Sequence, residues 1–213
     1  MRPRIILNCA ASADGKIALP NRRNLKLSNQ EDFKRVHNLR KECDAILVGI
    51  GTVIEDDPSL TVELGKQTKT NPIRIILDTN YRTPKDAKVL DDKAKTIIAI
   101  GEKTKPEKKN NTEIIRCGIN EIDLERLMVI LWKKGIESIL VEGGETVMWS
   151  FLEKGLFDEF NVFVSSIIIG GESTPTIAGG KGISDNENSL KLKLVSSKAL
   201  GNGVLLRYHK SND

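Results

Sequence analysis

Short apolar runs alternate along the chain with stretches in which apolar residues return every third or fourth position. That alternation is the mark of strands separated by amphipathic helices. Arg4 to Ala10, Ala45 to Val48, Ile73 to Asp78, Thr96 to Gly101, Glu113 to Cys117 and Ile139 to Val141 read as short strands. Several are apolar on consecutive positions, as strands covered on both faces are in parallel sheets. Phe160 to Ile169 reads as a longer strand ending at Gly170-Gly171. Ser28 and Glu31 form an S-x-x-E capping box ahead of a helix whose apolar stripe is Phe33, Val36 and Leu39. Leu124, Leu127, Met128 and Leu131 fall on a second helical face that ends at Gly135, and Val147, Met148, Phe151 and Leu152 on a third. Glu113 to Glu142 reads as a strand, helix, strand unit with a right-handed crossover. Leu190 to Val195 and Val204 to Tyr208 alternate apolar and polar residues, the pattern of an antiparallel pair. The prediction is an α/β fold: a single domain over residues 1–213, its mixed, mostly parallel sheet carrying helices on both faces and closed by an antiparallel C-terminal pair.

Composition narrows the function classes. The chain has 213 residues, 39% apolar and 29% charged, which describes an ordinary globular protein with room for one sizeable core. No apolar run approaches the roughly 20 residues of a membrane span, and the N-terminal apolar stretch, too short for a signal peptide, leads into Asp14 and Lys16. A cytoplasmic protein is expected. Three dispersed cysteines, Cys9, Cys43 and Cys117, suit buried thiols, and two histidines cannot furnish a zinc set, so no metal is expected. A net charge of +4 with few aromatic residues argues against nucleic acid, while a slight basic excess suits small anions such as phosphates.

Candidate chemistry collects at predicted strand ends, where open α/β sheets build their sites. After Val48 come Gly49 and Gly51, the Thr52 hydroxyl, and the carboxylates Asp56 and Asp57 before Pro58. Beyond the next strand lie Asp78, Thr79, Asn80, Tyr81 and Arg82; an acid there can accept from a ribose hydroxyl, and an arginine suits a 2′-phosphate. Val141, Glu142, Gly143, Gly144, Glu145 and Thr146 join a strand to a helix N-terminus, a natural cradle for a pyrophosphate. Asp14-Gly15 signals a turn that projects Lys16, and Arg40 complements the end of the first helix.

Three stretches, S-A-D-G-K at Ser12 to Lys16, G-I-G-T-V-I-E-D-D-P-S-L-T-V at Gly49 to Val62 and E-G-G at Glu142 to Gly144, with R-I-I-L-D at Arg74 to Asp78 between them, resemble the riboflavin-biosynthesis reductases. That resemblance spans essentially the whole chain and implies a dihydrofolate-reductase-like fold. It also implies a homodimer, with the C-terminal strands as interface candidates, and reduction by NADPH, with NADH tolerated in some members. The zinc deaminase motifs often fused ahead of such reductases are absent, so the resemblance points to the free-standing archaeal and fungal type. That type acts on 2,5-diamino-6-ribosylamino-4(3H)-pyrimidinone 5′-phosphate and yields the ribitylamino product.

Residue by residue, the resemblance places Thr52 and Asp56 along the cofactor and Asp78 to Arg82 beside its adenosine ribose, with Arg82 on the 2′-phosphate. It puts Val141 to Thr146 under the pyrophosphate, and Gly118 joins the cofactor set. Asn24, Arg40, Leu60 and Glu142 are expected at the substrate. For catalysis the ranking is Lys16, Asp56, Glu142: Lys16 for a developing oxyanion or the phosphate, the carboxylates as proton acceptors or stabilisers of iminium charge. Many relatives carry Arg or His after L-T-V where this chain has Glu63, so Arg40, Lys16 or Arg22-Arg23 must hold the substrate phosphate. Rival readings are the deaminated substrate 5-amino-6-(5-phosphoribosylamino)uracil, a dihydrofolate or other pterin reductase, and a nucleotide-binding module without chemistry.

Overall fold

The structure, a computed structural model, describes residues 1–23, 25–62, 71–106, 111–184 and 189–211. In chain order the described elements are β1 Arg4–Ala11, α1 Gln30–Glu42, β2 Ala45–Gly49, α2 Ile50–Asp56, β3 Ile73–Leu77, β4 Thr96–Ile100, β5 Thr112–Arg116, α3 Leu124–Lys133, β6 Ser138–Gly143, α4 Glu145–Glu153, β7 Glu159–Ser165, β8 Leu192–Leu200 and β9 Gly203–Lys210. The fold is α/β, and its nine described strands belong to a mixed sheet. Contacts group the chain into two units, one of Met1–Arg4 and His37–Leu140, the other of Ile5–Val36 and Val141–Asp213.

In the first unit β5, β4, β3 and β2 lie side by side, all parallel. Parallel neighbours need a crossover each, so their carboxyl ends fall along one edge. Ile46, Val48, Ile76, Ile98 and Ile100 form one buried layer with Ile50 and Val53 of α2 and with Leu60. Leu47, Ile75 and Ile97, which alternate with them on the opposite face, are equally inaccessible, as the unbroken apolar runs require. Asp123 caps α3 by accepting from the Arg126 amide, and the helix buries Leu124, Leu127, Met128 and Leu131. The predicted strand, helix, strand unit differs in one respect: β5 pairs with β4 rather than with β6, so the crossover through α3 passes over intervening strands.

A charged group of β3 sits inside this unit. Arg74 of β3 is wholly buried, and its guanidinium donates to the Val89 carbonyl at 2.9 Å, the Asp91 carbonyl at 3.1 Å and the Asp91 carboxylate at 2.6 Å. These bonds fold the segment after the short 3-10 turn Lys88–Leu90 back onto the strand. Burial pushes the Asp91 carboxyl up, but the bond from Arg74 and the amide of Lys93 outweigh it and hold the group below the usual range.

In the second unit β1 pairs with β7 in parallel, β7 with β9 and β9 with β8 in antiparallel fashion, with an irregularity between Leu194 and Ser196. The C-terminal pair is therefore as expected, but β8 runs on to Leu200. β7 stops at Ser165 instead of Ile169, because Ile167 to Gly170 turn away to bond the Ser12–Lys16 turn. The start of α1 also departs from the sequence pattern. Asn29, not Ser28, caps the helix by accepting from the Asp32 amide at 2.9 Å. Ser28 instead donates to the Asp32 carboxylate. Asp32, not Phe33, is buried: its carboxylate accepts from Arg35, which also reaches Asn8 of β1 at 2.8 Å, while Phe33 is 48% exposed. A paired buried charge has taken the place of Phe33, while Val36 and Leu39 of the stripe stay half-buried.

Replacing Arg74 with methionine should cost about 3–5 kcal/mol, because it strands the carbonyls of Val89 and Asp91 and the Asp91 carboxylate. Urea unfolding at constant m-value reads this directly; a loss under about 1 kcal/mol would mean that water replaces the guanidinium.

Candidate active-site elements

In the first unit Thr52, Asp56, Asp78 to Arg82 and Gly118 follow the carboxyl ends of β2, β3 and β5, whereas Arg40 stands beside Asp44, Pro72 and Ile73 at the amino ends of β2 and β3. Thr52 and Asp56 stand four residues apart on α2, on one helical face, Thr52 half-buried and Asp56 exposed. Asp57 closes the helix in the left-handed region at φ 40°, and its carboxylate accepts from the Lys88 amide at 2.8 Å. Leu60 also takes a positive φ, 49°, and its side chain lies in the core. The Leu60 side chain is therefore closed to a ligand. The Arg40 guanidinium donates to the carbonyl of the next residue, Thr61, at 3.1 Å, so these two expected substrate residues are brought together.

The Asp78–Arg82 segment differs from its sequence reading at its first residue. Asp78 is fully buried, and one carboxylate oxygen accepts from the amide and hydroxyl of Thr83 at 2.8 and 2.7 Å. It shapes the loop from within through that oxygen, while Oδ1, equally buried, has no hydrogen-bond partner among the described residues. Tyr81 holds a positive φ of 54°, and Arg82 is exposed. The Thr79 carbonyl accepts from the Gly101 amide at 2.9 Å and the Thr104 hydroxyl at 2.8 Å, while Glu102 donates to the Gly118 carbonyl at 2.7 Å. Gly101, which the sequence reading did not single out, thus links the Thr79 loop to Gly118. A Cβ on Gly101 would lie 3.2 Å from the Thr79 carbonyl oxygen. Its place directly after an apolar strand was the available signal. Gly118 is needed by its own turn: φ is +93°, and a Cβ would lie 2.0 Å from the Glu121 carbonyl.

In the second unit Val141, Glu142 and Gly143 end β6, and Gly144 caps α4 with no side-chain hydrogen bond. The Gly143–Gly144 peptide is cis. Gly143 has φ +106°, yet a Cβ built on it meets nothing within 4 Å. Open space over a glycine beside the N-terminus of a nine-residue helix is the geometry an anion needs. Thr146 is exposed there, but Glu145 is engaged: one carboxylate oxygen accepts from Arg22 at 3.1 Å, the other from the Thr176 amide at 3.2 Å. The same residue's carbonyl accepts from Gly179 at 3.2 Å, which lays the glycine-rich 176–182 segment against α4.

Lys16 lies half-buried in the turn after β1. Its amide donates to the Ser12 hydroxyl at 2.9 Å and its carbonyl accepts from the Ser12 amide at 2.8 Å. Asp14 accepts from the Ser12 hydroxyl at 2.6 Å, the Gly170 amide at 2.7 Å and the Ile169 amide at 3.1 Å. The Ser12 hydroxyl and those backbone amides hold the Asp14 carboxyl down at about 2. Asn24 and Glu63 lie outside the described residues.

The model of the RibD C-terminal domain matches residues 3–206. The chain belongs to the RibD C-terminal domain family. Among curated members, a Methanothermobacter thermautotrophicus protein named 2,5-diamino-6-ribosylamino-4(3H)-pyrimidinone 5′-phosphate reductase is 40% identical over 98% of both chains. One of the same name from Archaeoglobus fulgidus is 39% identical over 85% of this chain and 88% of its own. Of solved RibD-type structures, the Thermotoga maritima deaminase/5-amino-6-(5-phosphoribosylamino)uracil reductase superposes with a TM-score of 0.85 at 29% identity, covering 99% of this chain and 57% of that one. The Saccharomyces cerevisiae reductase Rib7 gives 0.80 at 24% identity, covering 99% and 90%, a likeness of fold. Membership of this family implies a reductase with a nicotinamide cofactor.

The low Asp14 value carries a pH dependence with a definite sign. Its folded value lies below the ordinary 3.8, so the stabilisation is complete above about pH 4 and is lost as pH falls through about 2. The difference in urea midpoint between the parent and Asp14→Asn should be constant from about pH 5 to 7 and shrink below about pH 4, while carbon-detected NMR places the Asp14 carboxyl near 2.

Proposed function

We propose that this chain reduces 2,5-diamino-6-ribosylamino-4(3H)-pyrimidinone 5′-phosphate to its ribitylamino product with NADPH, in riboflavin biosynthesis. The observation that carries this reading is near-complete coverage at 40% identity with a protein of that name. The residues support a dinucleotide: an exposed Arg82 suits a 2′-phosphate, and the open face of Gly143 at the α4 N-terminus suits a pyrophosphate. Thr52 and Asp56, on one face of α2, complete the cofactor set together with the backbone of Thr79, Asn80 and Tyr81 and with Gly118. Asp78 serves by fixing that loop. When bound, the nicotinamide supplies hydride.

The substrate's ring-closed ribosylamine must first open, so that C1′ becomes the sp² carbon of an imine. Opening moves a proton to the ring oxygen as its bond to C1′ breaks; reduction adds hydride to C1′ and a proton to nitrogen. Lys16 is assigned to the developing negative charge on oxygen or to the phosphate, and Asp56 and Glu142 to proton acceptance and to iminium charge. Arg40, Leu60 through its backbone and Asn24 orient the substrate, which is the larger part of a hydride-transfer barrier. The deaminated uracil is the second reading, favoured by the 29% identity to the Thermotoga reductase.

We also assign a homodimer through β8, whose Leu194 and Val195 are 53% and 46% exposed, and a cytoplasmic setting that suits three cysteines outside any disulfide among the described residues. No helix among the described residues is long and apolar enough to cross a membrane.

With purified protein, NADPH oxidation should be faster with the diamino compound than with the uracil; the reverse preference would move reduction after deamination. Silence with both would leave a nucleotide-binding module. Alanine at Lys16 should lower kcat by about 100-fold, and at Asp56 or Glu142 by about tenfold or more. Arg82→Ala should raise the KM for NADPH about tenfold or more and leave that for NADH unchanged, since the lost contact is to the 2′-phosphate.

A further inference from the structure

The turn that presents Lys16 has no regular element of its own, yet it is tied on two sides. Ala13 donates to the Ile167 carbonyl at 2.8 Å, and Ile17 to the Pro175 carbonyl at 3.0 Å. Lys16 itself pairs with Thr176 in an isolated antiparallel bridge. Both flanking segments belong to the 167–177 excursion that follows β7. One side chain joins excursion and turn: Asp14, which takes the Ile169 and Gly170 amides and the Ser12 hydroxyl on its two oxygens. The Ser12 hydroxyl, oriented by that donation, accepts from the Lys16 amide. A continuous chain of bonds therefore runs from the Gly170 amide through Asp14 and Ser12 to the backbone of Lys16.

We propose that Asp14 is a positioning residue that acts through Lys16. This rests on the assignment of Lys16 above and goes beyond it, because it says what fixes the lysine's backbone. The chemistry demands a carboxylate. Three donors converge on two oxygens, and only an ionised acid accepts on both without offering a hydrogen. Asparagine has the same shape, but its NH₂ would face one of the three donors. Ser12 cannot replace Asp14 either, since its hydroxyl is the middle link. Burial would raise a carboxyl value rather than lower it. Asp14 is exposed, so its three donors, all from the turn and the excursion, account for its state.

The test is a double-mutant cycle on the full chain, with NADPH and the diamino-pyrimidinone phosphate as substrates. Asp14→Asn should lower kcat about 10- to 100-fold with the KM for NADPH within about twofold, the signature of a displaced group rather than lost cofactor binding. Ser12→Ala should fall in the same range. The double variant Asp14→Asn/Lys16→Ala should be no slower than Lys16→Ala alone, since removing the lysine removes what Asp14 acts on. Multiplying effects, or Asp14→Asn turnover within about twofold of the parent, overturn the proposal. Hydrogen exchange gives a second readout without ligand: the Lys16 and Gly170 amides should exchange about tenfold or more faster in Asp14→Asn, with the core strand amides unchanged. Unchanged exchange at Lys16 and Gly170 overturns the relay whatever the kinetics. If exchange rises as expected but Lys16→Ala turns over at the parent rate, the Lys16 assignment fails and the influence of Asp14 on catalysis fails with it.

Discussion

Strand polarity is the constraint from which the rest follows. β2, β3, β4 and β5 are parallel, so none can be joined to its neighbour by a hairpin and each must hand the chain to a crossover. Every carboxyl end then opens into a loop on the same edge, and the cofactor candidates of this unit lie there, Thr52 and Asp56 after β2, Arg82 after β3 and Gly118 after β5, while Arg40 stands at the amino ends. The same polarity requires both faces to be covered, which explains why Ile75 and Ile76, neighbours in sequence, are equally inaccessible.

Holding such loops still requires polar groups to be spent inward. Arg74 and Asp78 occupy one strand and the residue that follows it; both are fully buried, and both bond to the connection beyond, Arg74 to Val89 and Asp91, Asp78 to Thr83. The second unit uses its acids in the same manner. Glu145 and Asp14 each gather backbone amides from the long excursion after β7, and Asp32 gathers Ser28 and Arg35. Carboxylates suit this work because each presents two acceptor oxygens and no donor, so one side chain can fasten several amides at once.

Most of the architecture was legible because its signals are local. An unbroken apolar run, an i, i+3, i+4, i+7 stripe and a glycine after a helix need no knowledge of what lies across the fold, and α3 with Gly135 is the clearest case. What was not legible depended on partners distant in sequence. Phe33 looked like a core residue by spacing, but Arg35, itself held by Asn8 of β1, supplies a partner for Asp32 and the helix turns that residue inward instead. Asp78 looked open to a ligand on both oxygens; Thr83 takes one of them. The shortening of β7 has the same origin, since Ile169 is drawn off by Asp14, 155 residues away. Thr52, Asp56 and Arg82 were readable as site candidates because each follows a strand end, whereas Gly101 and Ser12 act through bonds that only the folded chain reveals.

Among the described residues β8 is the last strand of the sheet, paired with β9 alone, and it is exposed along nearly its whole length. Its leucines and valine invite another strand, yet Lys193 and Lys198 stand in the same strand as hydrated charges. An edge of this kind is selective rather than merely adhesive: a strand that staggers its own charges past those lysines, or answers them with carboxylates, can pair, and a random β-segment meets uncompensated charge. Chemistry that neutralises lysine, such as acetylation, would remove that selectivity and leave an apolar template open to any passing strand.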